Sequence, residues 1–130
     1  MPLRSICGVI LLSDDPRRLA DFYSRVLGCT FEREDHGNLA EHYGFDVGEI
    51  HFGIHPPSNF QQARPCGAAA VIAFNVSSLK DTMAILAELD ARQVQSPHDE
   101  GFGPVTSYLD PDGNTFELVE LAYGFARSSS

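Results

Sequence analysis

The stretch ICGVILLSDDPRRLADFYSRVLG (residues 6–28) runs an apolar strand, Ile6 to Leu12, into an acid–proline turn and then into an amphipathic helix. Asp14 or Asp15 can cap that helix, and Pro16 suits its first turn. Leu19, Phe22, Tyr23 and Val26 fall at the i, i+3, i+4, i+7 spacing of one buried face, and Leu27 widens it. Gly28 is placed to end the helix, as a glycine just past a helix end usually does. About 64 residues later the pattern returns in AVIAFNVSSLKDTMAILAELDAR (residues 70–92). A strand from Ala70 to Val76 passes through Ser77-Ser78 into a second helix, with Ser78 and Asp81 as a capping box. Leu79, Met83, Leu86 and Leu89 form its apolar stripe, and its end is expected near Ala91 or Arg92.

Each copy continues into three shorter strands, near residues 30–35, 40–47 and 49–55, then 92–96, 105–110 and 115–121. The pattern predicts an α+β fold of two βαβββ modules, forming a curved, cavity-forming mixed sheet with helices on the outside. A half-size unit of one helix on a small sheet cannot bury both faces of that sheet, so the inner face is where a ligand belongs. Residues 1–125 are expected to form one domain: module one at about 4–55, a linker at about 56–68, module two at about 69–121, with 126–130 a disordered tail. Ser96 to Pro104 is expected to be a loop over a cavity mouth, and Asp110-Pro111-Asp112-Gly113-Asn114 a tight hairpin turn.

The formal net charge is −9 over 130 residues, with no basic stripe, which excludes a nucleic-acid backbone as partner. The same acidity favours a cationic small molecule over an anionic one. The apolar run at Ile6–Leu12 is too short for a membrane span or signal peptide, and the expected location is the cytoplasm. Three cysteines, Cys7, Cys29 and Cys66, show no paired or metal-type spacing, and buried free thiols are expected.

Asp15 with Phe22-Tyr23-Ser24-Arg25-Val26-Leu27-Gly28 resembles the first-helix signature of the vicinal oxygen chelate superfamily, which includes glyoxalase I, bleomycin-resistance proteins and extradiol dioxygenases. Asp110 through Leu118 resembles that superfamily's closing hairpin, and the likeness spans about residues 4 to 121. It implies a homodimer and four cavity-facing positions that hold a metal in many members. Those positions fall on Gly8, His51, Val71 or Ala70, and Glu117, so only His51 and Glu117 offer ligand atoms. The implied protein is a small-molecule binder with an incomplete metal set and no cofactor. The alternatives are a lyase, isomerase or dioxygenase that uses Fe, Mn, Ni or Zn held by His51, Glu117 and a third ligand, and a metal-free proton-transfer enzyme built on Glu117 and His51.

Strand alternation supplies the candidate site independently of the likeness. Glu49, His51, Gly53 and His55 should share one face, with Ile50, Phe52 and Ile54 packed under the first helix. On the last strand Thr115, Glu117 and Val119 should face the cavity; on the first, Gly8, Ile10 and Leu12; on the fifth, Val71, Ala73 and Asn75. Catalytic roles fall to Glu117 and His51. Ligand contacts fall to Glu49, His55, Ile10, Asn75, Phe102 and Tyr108. The face taken by His42 is left open by alternation.

Overall fold

A computed structural model describes residues 3–4, 6–34, 39–59, 71–99, 101 and 103–121. Most of the expected linker, the expected tail, Ala70, Cys66 and Phe102 lie outside the described residues. The chain divides into two compact units, Met1–Cys66 and Gly67–Ser130. Each has the order strand, helix, strand, strand, strand, so the α+β class and the two similar modules expected from the repeat are what the chain forms.

In the first unit β1 (Gly8–Leu12) leads into α1 (Pro16–Leu27), then β2 (Glu32–Glu34), β3 (His42–Val47) and β4 (Ile50–His55). Its sheet runs β1-β4-β3-β2, with β1 parallel to β4 and the other pairs antiparallel. The helix begins where the sequence asks it to. The Asp15 carboxylate accepts the Arg18 N–H at 3.2 Å, and Pro16 occupies a position with no donor to lose. It ends at Gly28, whose φ of 66° is left-handed. Leu19, Ala20, Phe22, Tyr23 and Val26 are buried, and the Tyr23 ring lies 6.3 Å from Phe52 on the sheet. Phe31 meets Phe45 at 4.7 Å and Phe52 at 5.5 Å, both edge to face. Burying each such side chain contributes about 1.5–3 kcal/mol, which fixes the face of β4 that carries Phe52 and Ile54 against α1. The opposite face is left for His51, Gly53 and His55.

The second unit has β5 (Ile72–Asn75), α2 (Leu79–Glu88), β6 (Gln93–Asp99), β7 (Pro104–Leu109) and β8 (Thr115–Val119), in the sheet order β5-β8-β7-β6. Ser78 caps α2 by accepting the Asp81 N–H at 3.1 Å, and the Glu120 carboxylate accepts the Leu79 N–H at 2.7 Å. A carboxylate there also meets the positive end of the helix dipole. The buried core of this unit comprises Leu79 and Leu86 with Val105, Tyr108, Phe116, Leu118 and Val119. The Asp110 turn forms as expected: its carboxylate accepts the Asp112 and Asn114 N–H groups, both at 2.9 Å.

Three local expectations are corrected. The second helix stops at Glu88, before Ala91, because Asp90 takes a left-handed φ of 54°. The Asp90 N–H then bonds Ala87 O, and the Ala91 N–H bonds Leu86 O, which closes the helix without a glycine. Ser96 to Asp99 belongs to β6 and Pro104 to β7, so both ends of the expected loop are strand. Pro97 is tolerated because β6 is an edge strand and the pairing shifts register between Gln95 and His98. Cys7 is exposed rather than buried because β1 begins one residue later, at Gly8; Cys29 is half-buried, and burial raises its thiol pKa.

Candidate functional site

Register decides which side chains meet on the face of the first sheet that α1 leaves uncovered. Gly8 pairs with His51, Ile10 with Gly53 and Leu12 with His55. Across β3 and β4, Asp46 pairs with His51 and Gly44 with Gly53. On the far edge Glu32 pairs with Gly44 and Glu34 with His42. One face therefore carries His42, Asp46, His51 and His55 together with Glu32 and Glu34, around two adjoining glycines. His42, whose face alternation left open, belongs to this set.

His51 is held at both ring nitrogens. Its Nδ1 lies 2.7 Å from Asp46 Oδ1, and its Nε2 lies 3.1 Å from Glu34 Oε1. The contact with Glu34 crosses directly above Gly44. A Cβ at that position would fall 2.7 Å from Glu34 Oε1 and 2.8 Å from His51 Nε2, so only a glycine leaves room for the pair. The imidazole is 40% exposed, Asp46 is 78% exposed and Glu34 20%. The Asp46 hydrogen bond is the largest influence on the imidazole and raises its pKa; partial burial opposes it, and Glu34 adds a further rise.

Deeper on the same face, His42 and His55 stack with ring centroids 4.0 Å apart. Both are buried, and His42 is 0% exposed. His42 Nδ1 donates to Ala40 O at 2.9 Å, and its Nε2 lies 3.8 Å from Glu34 Oε1. The Asn59 side chain accepts the Ala40 N–H at 2.8 Å, which fixes its amide orientation. Its Nδ2 therefore donates to His55 Nδ1 at 3.0 Å, and that nitrogen of His55 is an acceptor. A cavity of about 460 Å³ opens beside the His51 pair, lined by Thr30, Glu32, Arg33, Glu34, Gly44, Phe45, Asp46 and His51. Arg33 is paired with Glu41 at 3.2 Å, so the lining offers a guest mainly carboxylate oxygens.

Among the candidates read from the sequence, His51 and Ile10 lie on this face, and Ile10 is 46% exposed. His55 shares the face but is buried against His42 rather than lying near a rim. Glu49 is not on the strand: with Gly48 it forms the two-residue turn that joins β3 to β4, and Val47 pairs with Ile50 across it. In the second unit Glu117 pairs with Ala73 and Ser107, on the face opposite Phe116 and Leu118. Asn75 shares that face by alternation, and its Oδ1 accepts the Leu121 N–H at 3.1 Å. Tyr108 does not. It pairs with Phe116, stacks on that ring at 6.4 Å and is 5% exposed, so it packs in the core. Burial raises the pKa of its hydroxyl.

Glu34 and Asp46 escaped the sequence reading. Alternation puts Asp46 on one face with His42, but pairing it with His51 needs the hairpin register, and Glu34 reaches His51 diagonally across another strand.

Among the described residues, the four expected positions do not supply the donor set of a metal site. Gly8, beside His51, and Ala73, beside Glu117, carry no ligand atom, and the register pairs Glu117 with Ala73 rather than with Val71. Both nitrogens of His51 are already taken by carboxylates. Among the described residues no cluster of three or more His, Cys, Asp or Glu side chains is arranged to hold a metal ion. Among them, too, no helix is long and apolar enough to cross a membrane.

Comparison with known proteins places these features in a family context. The family model described as Glyoxalase/Bleomycin resistance protein/Dioxygenase superfamily matches residues 6–118. Lactoylglutathione lyase from Agrobacterium tumefaciens is 20% identical, with a TM-score of 0.66 over 92% of this chain and 96% of that one. An antibiotic binding protein, TnmS3, from a Streptomyces species is 16% identical, with a TM-score of 0.66 over 94% and 99% of the two chains. A glyoxalase-related enzyme from Fulvimarina pelagi is 16% identical, with a TM-score of 0.71 over 91% and 88%. At these identities the likeness to solved structures shows the fold alone. No curated protein matches the sequence.

Proposed function

The chain belongs to the glyoxalase/bleomycin resistance protein/dioxygenase superfamily, and from that premise we propose that it binds a small cationic molecule without a metal. The observation that carries this reading is the polar face of the first sheet. Glu32, Glu34 and Asp46 line one cavity, and the imidazole among them spends both nitrogens on carboxylates. A guest entering there meets acceptors, so it must bring N–H donors or positive charge. The antibiotic binding protein of similar fold lends support for a binding role in this family. Glu117, half-buried on the open face of the second sheet, is proposed as a further anchor. Family likeness extends the proposal to a homodimer.

A second reading has one specific observation in its favour. A histidine oriented by a carboxylate at Nδ1 is the arrangement of a proton-transfer catalyst, and Asp46 supplies that carboxylate to His51. In that reading His51 and Glu34 exchange a proton with the substrate, and Asp46 positions the ring.

The binding reading is tested by thermal shift with matched probes. Alkylguanidinium ions at millimolar concentration should raise the Tm by mass action, and neutral alkylureas of the same shape should not. Glu34→Gln should reduce the guanidinium effect several-fold. Equal shifts from both probes, or an undiminished shift in the variant, would contradict a charge-selective site.

A further inference from the structure

The superfamily's metal chemistry and this chain's donor set disagree, and the disagreement has a positive content. We infer that His51, clamped between Asp46 and Glu34, is itself the resident cation of this site and occupies it in place of a divalent ion.

Donors and acceptors decide the charge on the ring. A carboxylate accepts and does not donate, so a ring nitrogen 2.7 Å from Asp46 Oδ1 carries a proton, and so does one 3.1 Å from Glu34 Oε1. An imidazole with two N–H groups has no lone pair left for an ion. A metal-ligating histidine differs in one respect: it gives one N–H to a carboxylate and keeps the other nitrogen for the metal. Here the second nitrogen is taken by Glu34, which reaches it only because residue 44 lacks a Cβ. Among the described residues no three His, Cys, Asp or Glu side chains are arranged to hold an ion. Gly8 stands beside His51 on β1, His42 Nε2 faces the same Glu34 oxygen at 3.8 Å, and Arg33 is turned to Glu41. Asp46 and Glu34 are thus positioning residues, and their role is to hold charge on a ring. This inference does not depend on which guest binds.

The test reads the ring directly, on the full chain labelled with nitrogen-15. Both His51 ring nitrogens should keep the shifts of protonated nitrogen to a higher pH than those of a histidine in the unfolded chain. One equivalent of Zn²⁺, Ni²⁺ or Mn²⁺ should leave those signals unmoved and unbroadened. Asp46→Asn, a change at an exposed side chain, should lower the pH at which the doubly protonated signature is lost, and Asp46→Glu should restore it. Glu34→Gln should weaken it as well. A wild-type ring that loses its second proton no later than a histidine of the unfolded chain, or a stoichiometric ion that shifts or broadens the His51 signals, would overturn the inference. Loss of guest binding with the doubly protonated ring intact would instead count against the proposed function alone.

Discussion

Gly44 marks the point where one extra carbon would dismantle the site. The ring of His51 and the carboxylate of Glu34 meet in the volume a Cβ would fill. Gly44→Ala is therefore expected to push Glu34 off His51 and bring the imidazole pKa back toward its ordinary 6.5, as read from its proton shifts against pH; an unchanged titration would contradict the geometry. The sign of the pH effect follows from the same pair. His51 binds its proton more tightly folded than unfolded, mainly through Asp46, against the opposing effect of burial and with Glu34 adding to the rise. Its contribution to stability is full below about pH 6.5 and is lost as pH rises through the raised folded value. The Tm of wild type should exceed that of Asp46→Asn most between about pH 5 and 6.5, and the gap should close in base. A gap that widened in base would be the wrong sign. Alternation in the sequence was enough to put His51 on the correct face, since Phe52 and Ile54 had to be buried. It could not find Glu34, because a diagonal contact across a glycine depends on register, which local periodicity does not carry.

Helix ends show the same division between local and non-local information. Asp15, Pro16 and Gly28 bound α1 as the sequence implies, because each acts on backbone groups within four residues of itself. The end of α2 was missed because the residue that takes the left-handed turn is Asp90, and the apolar stripe runs on to Leu89 without a glycine to mark the stop. A left-handed conformation costs a residue with a Cβ roughly 1–2 kcal/mol. Asp90→Gly should therefore stabilise the protein by about 1 kcal/mol in urea unfolding. A neutral or destabilising result would mean that the aspartate side chain offsets the strain. The strand β6 ran further than expected for a related reason. Pro97 reads as a breaker in sequence, but an edge strand has a side with no ladder bond to lose.

At the scale of the whole chain, the repeat of strand, helix and three strands was the most legible feature, since it needs only periodicity and turn residues. The two units nevertheless differ on the faces their helices leave uncovered. The first carries three histidines and three carboxylates around Gly44 and Gly53; the second carries Ala73, Asn75, Ser107 and Glu117. The net charge of −9 agrees with a cationic guest, and the acidic lining of the first unit gives that charge a local address. The most direct measurement is a crystal structure of the chain soaked in dilute guanidinium chloride. A guanidinium ion is expected seated against Glu34 and Asp46, with the His51 ring still bridging the two carboxylates. Chloride bound to a His51 that has left them, or a metal ion held by three or more protein atoms, would contradict that arrangement.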